Sequence, residues 1–145
     1  MSLLQGIARI KERFATMGRA EAEDALRAGL DAAALSKSRV QQSGEGIDGR
    51  FEDYTPDYAR DRRNAGYQTE HVDFTRTGGL MASIGPAVVD VKPGRVVVEI
   101  KASRRSEQVK LNGAAVKRGN IIANTPEEQR IVGEAFARAQ VARLK

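Results

Sequence analysis

The sequence AVVDVKPGRVVVEIKA, residues 87–102, decides the fold class, because it predicts strands in a chain whose other long segments have helical patterns. Val89 and Val91 alternate with charged neighbours, and the alternation returns beyond Pro93-Gly94 at Val96, Val98 and Ile100. A period of two is typical of a strand with one covered face. Proline followed by glycine is a type II turn signal. The stretch therefore predicts an antiparallel β-hairpin.

A short helix is predicted just before the hairpin, in the stretch VDFTRTGGLMASI, residues 72–84. Thr77 is a suitable N-cap, and Gly85-Pro86 is expected to end the helix. Thr-Arg-Thr-Gly-Gly does not fit a phosphate-binding loop, because it lacks the lysine and the first glycine spacing of that motif. The helix is expected to carry three apolar side chains inward, those of Leu80, Met81 and Ile84.

Two further segments follow the hairpin. Residues 103–119 are predicted to lead into a helix that ends at Gly119, and Asn120–Asn124 to add a short strand through Ile121-Ile122. The last segment is the clearest helix, because Thr125-Pro126-Glu127-Glu128 is a capping box. Its predicted buried stripe consists of Ile131, Val132, Ala135, Phe136 and Ala139.

Residues 2–40 are predicted to be mostly helical. Two apolar faces recur there at helical spacing, and they change phase near Gly18, where a kink or a break is expected. The first face consists of Leu3, Ile7, Ile10, Phe14 and Met17. The second face has smaller residues and consists of Ala22, Ala25, Leu26, Gly29, Leu30 and Ala33.

The segment between the N-terminal helix and the motif stretch predicts a loop and a second helix. Residues 41–54 hold three glycines and are predicted to form a flexible loop. Thr55-Pro56 has the pattern of an N-cap followed by proline in the first turn, with the helix running to Ala65 and Gly66 at its C′ position. One side of this helix would carry Tyr54, Tyr58 and Arg62.

Taken together, these segments predict an α+β fold in a single domain of residues 1–145. A long N-terminal helix and a C-terminal helix would pack on a small antiparallel β-sheet. The length of 145 residues suits one domain with one core.

The composition excludes several kinds of site. The chain has no cysteine and one histidine, His71. Disulfides, thiol chemistry and metal sites built from cysteines or several histidines are therefore excluded. The sequence has neither an apolar run of about 20 residues nor the pattern of a signal peptide. A soluble protein made and kept in a reducing compartment is therefore expected.

No catalytic residue, metal or cofactor is predicted. His71 lies beside Glu70 and is a candidate general base, but no nucleophile accompanies it at a recognisable spacing. The carboxylates at 127–128 are explained by the start of a helix, and those at 48–53 lack the spacing of a calcium loop. The expectation from the residues is that the protein is not an enzyme.

Positive charge is concentrated between residues 101 and 118. The net charge of the whole chain is +5, and this stretch holds six cations against the single carboxylate of Glu107. Such a stretch is typical of phosphate contacts, or of a rim that pairs with an acidic ring on a protein partner; a solvated face is the plainer alternative. The six candidate contacts with DNA or a partner are Lys101, Arg104, Arg105, Lys110, Lys117 and Arg118.

Two motifs in the middle of the chain resemble the tail-completion and neck proteins of tailed bacteriophages. The first is GRFEDYTPDYAR, followed by a basic run to Gly66, and the second is VDFTRTGGLMASI. The order of long helix, hairpin and final helix is also similar. The sequence departs from the family at Ile121-Ile122-Ala123, where many members have a more aromatic, arginine-containing segment. The matching residues are Phe51, Tyr54, Tyr58, Asp73, Thr75, Thr77, Gly78, Leu80, Ser83 and Ile84.

The resemblance implies a non-enzymatic virion protein of the neck or tail, made in the bacterial host cytoplasm. Copies would form a ring that contacts adjacent neck, connector or tail-tube proteins, and no membrane would be involved. The basic residues would face either genomic DNA in the channel or a protein neighbour. Head–tail joining, tail completion and a minor tail position all remain open at this point. The alternative function, suggested by charge alone, is a small basic nucleic-acid-binding module.

Overall fold

The fold is α+β, as the sequence predicts. A computed structural model describes residues 3–75, 78–92 and 95–145, with side chains from residue 19 onward. Within these ranges no helix has both the length and the apolar composition needed to cross a membrane. The elements in chain order are α1 (Leu3–Ser43), β1 (Glu45–Gly46), β2 (Gly49–Arg50), α2 (Pro56–Asn64), α3 (Gly79–Ser83), β3 (Ile84–Lys92), β4 (Arg95–Ala102), α4 (Arg105–Arg118) and α5 (Pro126–Arg143).

The predicted hairpin is confirmed as the pair β3 and β4, which run antiparallel from Ile84 opposite Ala102 to Lys92 opposite Arg95. An irregularity between Val88 and Asp90 shifts the register, as a β-bulge does. The turn at Pro93-Gly94 lies outside the described residues. Toward this end of the hairpin, three valines are well exposed: Val88, Val89 and Val91.

The boundary between α3 and the hairpin differs from the prediction. Gly85-Pro86 does not end a helix but belongs to β3, where Pro86 pairs with Ile100. Proline is compatible with this position because β3 is an edge strand of a two-stranded sheet, and an edge strand can lack an N–H on its open side. The N-cap of α3 is Gly78, with a φ of 75°; Thr77, the predicted cap, lies outside the described residues.

The long N-terminal helix is confirmed, but the predicted break near Gly18 is wrong, because α1 continues through it to Ser43. A glycine inside a helix costs only about 1 kcal/mol. Further along, α1 packs closely on the hairpin: a Cβ at Gly29 would lie 2.7 Å from Cβ of Pro86 and 2.8 Å from Cγ1 of Val98. The side chains of the first predicted face, residues 3–17, lie outside the described part.

The loop predicted at 41–54 is wrong in its first half. Helix α1 includes residues 41–43, and Gly44 ends it with a φ of 66°. The chain then forms the small hairpin of β1 and β2, and the Phe51 N–H donates to the Gly44 carbonyl at 2.9 Å. Helix α2 matches its prediction in position, although the Thr55 side chain makes no capping hydrogen bond.

The short strand predicted at Asn120–Asn124 is also wrong, because this segment is a turn. Its backbone finds partners other than a neighbouring strand: the Ile122 N–H donates to Oδ1 of Asn120 at 3.2 Å. The Ala123 carbonyl accepts from Nη2 of Arg39 at 2.6 Å. Side-chain partners of this kind compete with sheet pairing. Ile121 is nonetheless 1% exposed, so this turn contributes to the core without forming a strand.

The C-terminal helix α5 runs antiparallel to α1 and is tied to it at both ends. Near its start, Nε of Arg39 lies 2.9 Å from Oε1 of Glu128. Near its end, Nε of Arg143 lies 2.6 Å from Oδ2 of Asp24. The predicted capping box of Thr125 and Glu128 is confirmed, with both reciprocal hydrogen bonds present.

The apolar stripe of α5 is less buried than predicted. Ile131 is 42% exposed, and Val132, Ala135, Phe136 and Ala139 are only half-buried. Helix α5 lies at the outside of the molecule and contacts mainly α1, so only a shallow groove shields its apolar side. Among the described residues of α5, Glu128 alone is fully buried.

The core is small: α1, α3, β3 and α4 each contribute one residue, and three more come from segments between the elements. It lies where the end of α1, the chain after β2, α3 and α4 meet. The buried cluster consists of Val40, Phe51, Val72, Met81, Ile84, Leu111 and Ile121.

Replacing Glu128 with Gln is expected to destabilise the fold by about 2 kcal/mol, since the charge-assisted bonds to buried Arg39 are lost. The neighbouring Glu127→Gln is a matched control, because Glu127 is exposed and contacts only Arg130 on the surface. Urea unfolding of both variants measures the difference. Equal effects of the two substitutions would contradict the anchoring role of Glu128.

Candidate functional site

Three of the residues that carry the motif resemblance, Tyr54, Asp73 and Thr75, contact one buried side chain, Arg62 of α2. Arg62 is 2% exposed. Its Nη2 donates to both carboxylate oxygens of Asp73, at 3.0 and 3.2 Å. Its Nε donates to the Gln68 carbonyl at 3.1 Å, and its Nη1 to the Thr75 carbonyl at 3.3 Å. All three nitrogens of the guanidinium therefore have partners.

Two aromatic rings flank the same guanidinium. Its carbon atom lies 4.6 Å from the ring centre of Tyr54 and 5.3 Å from that of Tyr67. A cation over the face of an aromatic ring is attracted by the ring's quadrupole, the more so where water is excluded. The ring of Tyr58 in turn meets that of Tyr54 at 5.3 Å. The predicted common side of Tyr54, Tyr58 and Arg62 is therefore confirmed.

Asp73 is the second centre of this network. Besides Arg62, it accepts from Nε2 of Gln68 at 2.6 Å, from the Tyr54 hydroxyl at 3.0 Å and from the Thr75 N–H at 2.9 Å. Burial alone would raise the pKa of Asp73, but these donors and the Arg62 charge outweigh it and hold the pKa below its ordinary value. The carboxylate is thus ionised at neutral pH and its hydrogen-bonding capacity is used.

The hydroxyl of Tyr54 is held in both of its roles. It donates to Asp73 and accepts from the Asp73 backbone N–H at 3.1 Å. Burial is the main reason that the pKa of Tyr54 is raised. A phenol with a raised pKa, engaged as donor and acceptor, is a structural group and not a nucleophile.

The backbone is unusual at the next residue, Phe74, whose φ is 53°. This left-handed conformation is costly for a bulky residue, by about 1–3 kcal/mol. The hydrogen bonds from Thr75 back to Asp73 support it, and the Phe74 ring packs edge-on against Phe51 at 5.2 Å. The strain places the Phe74 ring toward the core while Asp73 faces Arg62.

The remaining motif residues connect this network to the core. Leu80 packs on the buried cluster and Ile84 belongs to it. The Ser83 hydroxyl donates to the Leu80 carbonyl at 2.8 Å, and the Ser83 carbonyl accepts from the Ser103 N–H at 2.8 Å. Gly78 caps α3, while Thr77 lies outside the described residues. The motif therefore builds one architectural unit that extends from α2 to the start of the hairpin.

An open cleft of about 400 Å³ lies beside this unit. It offers few free polar groups, because the hydrogen-bonding groups of Asp73 and Arg62 already have partners within the protein. Arg118 reaches across it from α4 and donates to the Glu52 carbonyl at 2.6 Å. The lining residues are Tyr54, Thr55, Tyr58, Arg62, Val72, Phe74 and Arg118.

Two of the six basic candidate residues are held by nearby groups of the chain. Lys110 lies 2.9 Å from buried Glu107, and Arg118 is tied to Glu52 as described above. Lys110 and Lys117 are seven residues apart and share a face of α4, and two strongly exposed valines lie on the adjoining face, about 100° around the helix. These are Val109, which is 63% exposed, and Val116, which is 89% exposed. The face is thus part basic and part apolar.

No group of three or more metal-ligating side chains occurs among the described residues. Nε2 of His71 lies 2.7 Å from the Gln41 carbonyl, and the His71 side chain lies against Gly44. His71 therefore holds the loop to the end of α1.

The sequence pattern did not indicate several residues of the network. Tyr67 and Gln68 follow Gly66 in a stretch without periodicity, and their roles depend on how the chain folds back onto α2. The spacing of Arg62 on α2 was the one usable signal, because it placed a cation beside two tyrosines.

Replacing Asp73 with Ala is expected to cost about 3–5 kcal/mol of folding free energy, because it leaves the Arg62 charge buried without a counter-ion. Adding Arg62→Leu to this variant should recover part of the loss, since the unpaired charge is then removed as well. Asp57→Ala is the control, because Asp57 lies on the exposed side of α2 and pairs only with Arg60. Strictly additive effects in urea unfolding would contradict the pair.

Acid is expected to destabilise the protein through the carboxylates with lowered pKa values. For Glu128, burial opposes ionisation, but Arg39, the Thr125 N–H and Asn124 outweigh it and lower its pKa. A carboxylate whose folded pKa lies below its unfolded pKa of about 4 contributes stability above that value. This stability is lost as the pH falls toward the folded pKa. Urea unfolding between pH 6 and pH 3 should show the decline, and Asp73→Asn should make it shallower; stability that rises below pH 4 would contradict this.

Comparison with family models, with curated proteins and with solved structures finds no match for this chain. The placement of the motif residues in the fold is therefore the basis on which a function can be proposed.

Proposed function

We propose that this chain is a structural virion protein of a tailed phage, which forms a ring at the neck and there joins the head to the tail or completes that connection. The observation that supports the proposal most is the convergence of the motif residues. Nine of the ten motif residues lie in described parts of the chain. Tyr54, Asp73 and Thr75 contact Arg62, and Tyr58 contacts Tyr54. Phe51, Leu80 and Ile84 lie in or against the buried core cluster, and Gly78 and Ser83 lie at the two ends of α3.

The character of this unit fits a structural role better than catalysis. Its charged groups are paired and buried, and its tyrosine hydroxyl is held by two hydrogen bonds. Catalytic groups need hydrogen-bonding capacity that is free to act on a substrate. Groups that stabilise a fold have their hydrogen bonds made within the protein. The protein is accordingly proposed to act without enzymatic activity.

The surface of the described chain offers contacts for protein neighbours. The α4 face combines Lys110 and Lys117 with exposed valines, and apolar side chains in such positions are typical of protein interfaces and of little use for binding phosphate. Adjacent neck, connector or tail-tube proteins with an acidic rim would suit this face. The nucleic-acid-binding alternative is less well supported, because α4 itself carries no aromatic residue that could stack on bases.

Electron microscopy of a lysate from the parent phage without this gene tests the proposal. Full heads beside separate, complete tails are expected, and supplying the wild-type gene in trans should restore joined particles. Tailless heads with abnormal tails would assign the protein to tail completion. Normal infectious particles would contradict the proposal, and salt-sensitive DNA binding by the purified protein would then favour the nucleic-acid alternative.

A further inference from the structure

Helix α1 is much longer than the helix that packs along it. Its 41 residues span about 60 Å, whereas the 18 residues of α5 span about 27 Å. Arg39 meets Glu128 at one end of the antiparallel pair, and Asp24 meets Arg143 at the other. Residues 3–23 of α1 therefore continue for about 30 Å beyond the last ion pair with α5.

This N-terminal arm, residues 3–23, has the sequence of a helix that packs against another helix. Spacings of four and three alternate along its apolar residues, which is the seam of a coiled coil. A helix with such a seam gains stability only when the seam is covered. The seam residues are Leu3, Ile7, Ile10, Phe14 and Met17.

The first part of the arm is also basic. Between residues 3 and 19 there are four cations and one carboxylate, Glu12. Lys11 and Arg13 directly flank the seam in the heptad pattern, at positions that face the partner helix in a coiled coil. Two copies of this segment would therefore bring like charges together if they paired with each other, which disfavours symmetric pairing.

A complementary surface lies on the outer side of α1 itself. Ala25, Gly29 and Ala33 are buried under the rest of the chain, so the opposite side of the helix faces solvent. On that side Leu26 is 37% exposed and Leu30 is 56% exposed. Glu23, Arg27 and Asp31 are exposed beside them, so this outer ridge has an apolar side and a charged side with two carboxylates and one cation. The outer ridge consists of Glu23, Leu26, Arg27, Leu30, Asp31 and Ala34.

We propose that the N-terminal arm of one copy packs on the outer ridge of α1 of the next copy, head to tail. The apolar seam covers Leu26 and Leu30, and Lys11 and Arg13 of the arm meet the carboxylates of Glu23 and Asp31 on the ridge. Such a contact uses different surfaces on the two copies, so it generates a ring when the rotation closes. The inference rests on the proposed function, which requires a ring, and assigns the surfaces that form it.

Crosslinking of the purified protein tests the contact, because the natural chain has no cysteine. Ile10→Cys and Leu30→Cys are made in separate chains, at the centres of the arm and of the ridge, and are mixed with a flexible bismaleimide. A crosslinked dimer is expected in the mixture and not in either variant alone. A dimer of the Ile10→Cys chain alone would show symmetric pairing of arms, and no dimer in the mixture would show no contact; either result overturns the proposal.

Charge reversal gives a second, independent test. Adding Lys11→Glu and Arg13→Glu to the Ile10→Cys chain should abolish the crosslink. Adding Glu23→Lys and Asp31→Lys to the Leu30→Cys chain should then restore it. Arg60→Glu and Arg63→Glu in the Ile10→Cys chain are the control, since both residues are exposed on α2, and they should leave the crosslink unchanged.

Two further outcomes would overturn the proposal. The first is a crosslink that survives reversal at residues 11 and 13. The second is sedimentation of the protein with anionic vesicles in place of any crosslink, which would assign the arm to a lipid surface. Because these tests use purified protein, their failure leaves the phage phenotype unaffected, so the ring contact and the neck function can be refuted separately.

Discussion

The buried ion pair of Arg62 and Asp73 fixes a stretch of chain whose described residues have no regular secondary structure of their own. Residues 65–78 contain no helix or strand among the described positions, yet Val72 and Asp73 within them are buried. Buried backbone without regular structure must find hydrogen-bond partners elsewhere. Arg62 supplies two of them, to the carbonyls of Gln68 and Thr75, while its charge permits Asp73 to accept from four different groups.

Arg39 likewise links several segments through one guanidinium, at the other side of the core. Its guanidinium reaches the Glu45 carbonyl of the small hairpin, the Ala123 carbonyl before α5, and Glu128 within α5. Buried pairs of this kind add little net stability compared with apolar packing, but breaking one is expensive. This matters in a chain with only 5% aromatic residues and no tryptophan. Specific polar links therefore position elements that a small aliphatic core alone would leave underdetermined.

The features that the sequence predicts well are those that depend on neighbouring residues. The capping box at Thr125, the hairpin of β3 and β4, and the end of α4 at Gly119 each follow from contacts within about five residues or from a simple period. The wrong predictions concern segments whose conformation depends on residues that are distant in the sequence. The turn at Asn120–Asn124 exists because Arg39, more than 80 residues earlier, bonds to Ala123, and no local pattern contains that information.

Much of the candidate site was likewise hidden from a local pattern. The motif residues were identified by resemblance, but the pairing of Arg62 with Asp73 and the participation of Gln68 become visible only when the loop lies on α2. The left-handed backbone at Phe74 is less predictable still, because a phenylalanine is a poor candidate for that conformation. Tertiary packing of its ring against Phe51 overrides the local preference.

The same balance between local and distant contacts bears on how the molecule assembles. Between Asp24 and Ser43, α1 is fixed by the hairpin, by α5 and by two ion pairs, so its direction relative to the core is set. A helix transmits that direction along its length because each turn is hydrogen-bonded to the next. The direction of the N-terminal arm is thus set by contacts that lie along α1 far from the seam residues. Since the angle between successive copies in a head-to-tail contact decides between a closed ring and an open filament, the anchoring of α1 by Arg39 and Asp24 would govern the geometry of assembly as well as the stability of the monomer.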